Sequence, residues 1–346
     1  MNQPKYRYDV ESAAIGNCSL MALIPVDHLP GLLNRHPELA ACHHYAICRR
    51  PRISVLPINL KDDGLTIQFS ADHGDGDPAV SEAEIPMMIP KGAKFDSTPS
   101  SLLRILGGDG KILFEEPAGG LLTAIMSNAD RDTRLSWDLD YLDLKVVYVG
   151  QSLGPDEDRS AADRLISHST LQKILADTLT HAPHLDVWIV LMAFDALTTL
   201  SAFGLWQGTL GPTCSEQHLE EVLTSPLRGA QLTNLVEGAL IAYFQPSYNR
   251  TFKHSFPVPT HTSYGRVYAI DYNAAGFEFT THSISTRLGS EAVEPSFIHT
   301  GVFPLHDEAT RRAFFDWYDN PEFASALLTR KRDCPPDADR TPGAGP

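Results

Sequence analysis

The chain has 346 residues, 42% of them hydrophobic, which is enough for a substantial core in one large domain or two. Its formal charge of −15, from 28 basic and 43 acidic side chains, excludes a surface that binds polyanions indiscriminately and confines phosphate contacts to a local cationic patch. No apolar run approaches the roughly 20 residues of a membrane span, the opening MNQPKYRYDVES is polar, and five scattered cysteines do not make a disulfide framework. A cytoplasmic protein with reduced thiols and no membrane partner is expected.

Residues 1–130 read as a β-rich N-terminal region. CHHYAIC (Cys42 to Cys48) offers two thiols and two imidazoles, but no second knuckle follows, so it reads as structure rather than a zinc site. Strands are expected over Ile53 to Leu60, Gly64 to Ala71 and Ala83 to Pro90. The acidic Asp72 to Pro78 segment reads as a solvated turn, since the closing glutamate of a calcium loop is missing. KILFEEP and GLLTAIM (Lys111 to Met126) complete the region.

Residues 131–257 alternate strand and helix. Lys145 to Gly150 holds the β-branched and aromatic residues of a strand. Ser160 with Asp163 forms a capping-box start for a helix to Leu175, which would set Arg164 and His168 one turn apart on one face. Asp186 to Phe194 is a continuous apolar run, expected of a strand covered on both faces. Leu232, Leu235, Val236, Ala239, Leu240 and Tyr243 form one helical stripe with Glu237 at its flank. Pro246 ends that helix, and Asn249, Arg250, Lys253 and His254 make a small basic loop. Residues 258–332 read as an α+β C-terminal extension, with a hairpin of Arg266 to Tyr272 and Gly276 to Ile284, a strand at IHTGVFPLH and a helix from Asp307. Residues 333–346 have a disordered composition.

Three segments in order carry a resemblance: Tyr148-Val149-Gly150, then RLISH (Arg164 to His168), then EGALIAYFQPSYN (Glu237 to Asn249). Together they resemble the GIY-YIG nuclease family. The family's first tripeptide is not legible in the preceding window, LSWDLDYLDL, where Tyr141 or Trp137 is the nearest substitute for its tyrosine. The resemblance implies an α/β fold with a small mixed sheet flanked by helices, and a bacterial-type, metal-dependent endonuclease that hydrolyses nucleic-acid phosphodiesters, DNA ahead of RNA. It implies one divalent ion, Mg2+ or Mn2+, held by Glu237, with Arg164 on the phosphate charge, Tyr148 or His168 activating water and Asn249 orienting. Arg250 and Lys253 are candidate contacts to the phosphate backbone.

Two rival readings stand beside it. GQSLG (Gly150 to Gly154) is a G-x-S-x-G pattern after a strand, which would make Ser152 an esterase nucleophile with Asp195 and His254 or His299, although Pro155 and an acidic tract delay the helix that an elbow requires. The other is a GIY-YIG-like module that binds nucleic acid or protein without cleaving.

Overall fold

The computed structural model describes residues 5–56, 59–61, 64–72, 74, 79–85, 92–128, 140–152, 161–207, 209 and 215–315. The strands are β1 (Glu11–Pro25), β2 (His44–Val55), β3 (Asn59–Lys61), β4 (Gly64–Asp72), β5 (Ala79–Ile85), β6 (Lys94–Asp96), β7 (Leu102–Leu106), β8 (Ile112–Pro117), β9 (Leu144–Gln151), β10 (Leu185–Ser201), β11 (Ala274–Thr280), β12 (Leu288–Gly289) and β13 (Ile298–Pro304). The helices are α1 (Leu32–Arg35), α2 (Ala118–Asn128), α3 (Ala161–Ile166), α4 (Ser169–His181), α5 (Gly204–Gln207), α6 (Ser215–Thr224), α7 (Gly229–Phe244) and α8 (Arg266–Ala269).

The class is α/β, built on a ten-stranded mixed sheet larger than the small one expected. Its main path runs β12-β9-β2-β10-β1-β11-β13, with β4, β3 and β5 branching from the far half of β2, while β6-β7-β8 form a separate three-stranded sheet. β9, β2, β10 and β1 each run antiparallel to the next, whereas β1–β11 and β12–β9 are parallel. Strands from the first 55 residues thus lie between β9 and β11.

Alternation along β2 divides the core. Ala46 and Cys48 face a cluster that includes Leu235, Val236, Ala239 and Leu240 of α7, while Tyr45 and Ile47 face a second cluster with Leu165 of α3 and Leu171 and Ile174 of α4. The predicted stripe on α7 is buried except for Tyr243, which is half-buried, and each of its leucines and its valine contributes about 1.5–3 kcal/mol of burial. α7 seats closely because β1 has Gly16 beneath it: a Cβ there would stand 2.4 Å from Val236 Cγ2. Among the described residues, no helix is long and apolar enough to cross a membrane.

Several expected elements differ. GLLTAIM lies in α2, with Ala118, Leu122 and Met126 buried at helical spacing against Ile53 and Phe69. The predicted strand over Arg266 to Tyr272 begins as α8, because Val267, Ile270 and Tyr272 pack into the α7 cluster and packing overrides their β propensity. Asp307 begins hydrogen-bonded turns rather than a helix, and Arg311 in that segment is buried against Glu11 and Asp271. The Ser160 cap, most of the Asp72 to Pro78 turn, Trp137 and the 333–346 tail lie outside the described residues.

Candidate active site

The site is assembled where β9 meets β2. In their ladder Tyr45 lies opposite Gly150 and Ile47 opposite Tyr148, with a bulge between Ile47 and Cys48. Tyr45, Tyr148 and His168 form a triangle of rings, with centroids 6.2 Å apart for the tyrosines, 5.8 Å for Tyr45 and His168, and 5.4 Å for Tyr148 and His168. The Tyr45 hydroxyl is 3.3 Å from His168 Nε2. Gly150 makes this closeness possible, because a Cβ there would stand 2.6 Å from the Tyr45 hydroxyl oxygen and 2.9 Å from Tyr148 Cε1.

Arg164 and His168 do not share a helix face, which corrects the expectation. α3 ends at Ile166, His168 N donates to Leu165 O at 3.1 Å, and His168 takes an extended conformation as the cap residue of α4. The cause is local. Ser167, Ser169 and Thr170 flank His168, and serine and threonine side chains favour helix ends over helix interiors. The break leaves His168 in contact with Tyr45 and Tyr148.

Glu237, at the flank of the α7 stripe, reaches the end of β9, where the Gln151 backbone hydrogen-bonds its carboxylate. Burial nevertheless pushes this carboxyl up to about 7, against the opposing pull of Arg164 and the Gln151 bond. The Arg164 charge acts on every other member of the cluster. Burial raises both tyrosines: Tyr148 and Glu237 add to the rise at Tyr45, and Glu237 adds to it at Tyr148, while Arg164 opposes it at each. His168 is lowered by burial and by Arg164, so its imidazole is neutral at pH 7 and able to accept a proton.

The resemblance gives Asn249 an orienting role at the site. It is buried, with Oδ1 accepting from Val149 N and Nδ2 donating to Val149 O, both at 2.9 Å. β9 pairs with β12 only at Leu144 and Lys145. Beyond that pair, Tyr248 N bonds Val147 O at 3.0 Å and Asn249 continues the ladder as a side-chain surrogate. Asn249 therefore fixes the strand that carries Tyr148. Arg250 is exposed and Lys253 half-buried on the loop that follows.

Tyr45 lies far upstream of Tyr148 in the sequence, outside the LSWDLDYLDL window. Tyr141, the substitute proposed there, is buried in a separate cluster with Ile53 and Phe69. The signal for Tyr45 is the alternation in His43-His44-Tyr45-Ala46-Ile47, within a segment whose thiols and imidazoles draw the eye to zinc. Cys42 and Cys48 are buried free thiols, Cys42 pushed up to about 12 by burial. The elbow residues do not meet: Ser152 is buried with its hydroxyl on His43 O, Asp195 is on the exposed end of β10, and both His299 nitrogens are engaged by Tyr243 and Ser296.

Glu237 makes no ion pair among the described residues, and there is no group there of three His, Cys, Asp or Glu side chains placed for a metal. Glu237 is the hard oxygen ligand at this site that a divalent ion could meet, and burial works against the ionised form such an ion needs. No known family, curated protein or solved structure matches the chain.

Proposed function

We propose that the chain is a GIY-YIG-like, metal-dependent endonuclease hydrolysing nucleic-acid phosphodiester bonds, DNA ahead of RNA. The observation that carries this is the antiparallel pairing of Tyr45-Ala46-Ile47 with Tyr148-Val149-Gly150, which brings two tyrosines and His168 together within the field of Arg164 and Glu237. The resemblance calls for a second tyrosine on a strand beside Tyr148, and Tyr45 occupies such a position although it is distant in sequence.

In the reaction, water adds to phosphorus while the bond to the leaving oxygen breaks. His168, neutral and touching Tyr45, is the favoured acceptor of the water's proton; a phenol raised by burial is a poor base, so Tyr148 is better suited to orienting the water or the phosphate. The Arg164 fork binds the equatorial oxygens, whose negative charge grows toward the transition state. Glu237 would hold the divalent ion, which would supply Lewis-acid polarisation of the phosphate. Asn249 acts through β9 as a positioning residue.

The test is cleavage of single- and double-stranded DNA and RNA by wild type and Glu237→Ala, with Mg2+ or Mn2+ and with EDTA. Metal-dependent cleavage lost in the variant is expected. If wild type cuts nothing with metal, catalysis is rejected and the site is left as a binding module.

A further inference from the structure

Tyr248 touches all three elements that carry the ring triangle. Its main chain lies on the edge of β9: Tyr248 N donates to Val147 O at 3.0 Å, and Asn249, the next residue, bonds both backbone groups of Val149. Val147 and Val149 flank Tyr148, so this edge fixes the stretch of strand that presents the Tyr148 ring. The Tyr248 side chain reaches the other two elements. Its hydroxyl accepts from Arg49 Nη2 at 2.9 Å and donates to Asp177 Oδ2 at 2.8 Å. Arg49 is on β2, in the strand that carries Tyr45, and Asp177 is on α4, the helix that His168 caps. Arg49 Nη2 also donates to Ile174 O of α4 at 3.2 Å, and its guanidinium lies 5.4 Å from the Tyr248 ring centroid.

The hydroxyl supplies what packing does not. Leu171 and Ile174 hold α4 to the sheet by apolar contact, which is non-directional and leaves the tilt of the helix loosely set. Bonds from a guanidinium and to a carboxylate are directional, and both meet at one phenolic oxygen that spends its single proton on Asp177. At the other end of α4, the 3.3 Å contact of His168 Nε2 with the Tyr45 hydroxyl is too long to hold the helix by itself. The rise from His168 to Asp177 is roughly 13 Å, so a tilt of about 5° displaces the imidazole by about 1 Å. Errors of that size at a reacting group cost up to about 100-fold in rate.

We propose that Tyr248 is a positioning residue of the candidate active site, setting His168 against Tyr45 and Tyr148 through its hydroxyl bonds to Asp177 and Arg49. The consequence for cleavage rests on the nuclease reading; the placement of His168 does not.

The test follows the His168 imidazole resonance by NMR in the full chain, labelled at histidine and assigned with His168→Gln, beside kcat and KM for metal-dependent cleavage. Tyr248→Phe keeps the ring and removes the hydroxyl. It should move the His168 resonance while histidines remote from α4 stay in place, and should lower kcat about 10-fold or more with KM changed less than about twofold. Asp177→Leu should reproduce both effects, whereas Asp177→Asn, which still accepts from the phenol, should keep the wild-type resonance and kcat. Tyr248→Phe combined with Asp177→Leu should fall no further than either alone, because both break one bond. If Tyr248→Phe does not fold, the contrast between the two Asp177 variants carries the test. A His168 resonance unmoved by Tyr248→Phe, or Asp177→Asn behaving as Asp177→Leu does, overturns the proposal. A resonance that moves in a chain that cuts no nucleic acid upholds the positioning and rejects the nuclease reading.

Discussion

Glu237 carries two opposing demands. A metal site needs its carboxylate ionised, yet burial raises it from an ordinary 4.5 to about 7. The sign of the stability effect follows from linkage. The folded state binds the proton more tightly than the unfolded state, so wild type loses stability as pH rises from about 4.5 through 7, while a neutral glutamine loses none. Glu237→Gln should therefore be more stable than wild type at pH 8 by about 3 kcal/mol, and the gap should close toward pH 4.5. Urea denaturation at both pH values checks this. Added Mg2+ should narrow the gap at pH 8 by stabilising wild type alone, a readout that does not require catalysis. Equal stabilities at pH 8 would mean the carboxylate is solvated and not poised.

At the scale of elements, the site depends on how α7 sits on β1. Val236 fits over Gly16, and Glu237 is its immediate neighbour, so the depth of one contact sets the position of the carboxylate. Gly16→Ala should force α7 outward, costing about 1–3 kcal/mol, and should depress metal-dependent cleavage. Val236→Ala in the same chain makes room for the new methyl, so the double variant should be more stable than the two single losses predict when summed. Additive losses in denaturation would show that the helix does not rest on this contact. The contrast between α7 and the strands explains what could be read in advance. The α7 stripe, its Pro246 stop and the apolar run of β10 are local periodic signals, and so were visible. Tyr45 was not, because ladder pairing between residues 45 and 150 leaves no trace in spacing, and the residues of β2 that matter lie within a segment dominated by cysteine and histidine. The helix break before His168 is foreshadowed by Ser167, Ser169 and Thr170, and is masked in the sequence because Arg164 and His168 fit one helical turn.

For the whole molecule, the charge of −15 must be reconciled with the polyanionic substrate proposed for it. At low salt the long-range field repels nucleic acid, and salt screens that repulsion over about 10 Å at 0.1 M. Release of counterions from contacted phosphates acts the other way, favouring low salt. The two tendencies offset, so the affinity for a DNA duplex should depend on salt less steeply than for a basic binder with the same number of contacts. The exposed Arg250 and the half-buried Lys253, on the loop that Asn249 anchors to β9, are the cations placed to make such contacts. If each neutralises one phosphate, Arg250→Ala and Lys253→Ala should each flatten the plot of log affinity against log salt by about 0.9, and weaken all sequences alike. Binding measured with Ca2+ in place of Mg2+, over a salt titration, separates this from catalysis. An unchanged slope in the double variant would move the phosphate path off this loop, and with it the direction in which a strand crosses the Tyr45, Tyr148 and His168 cluster.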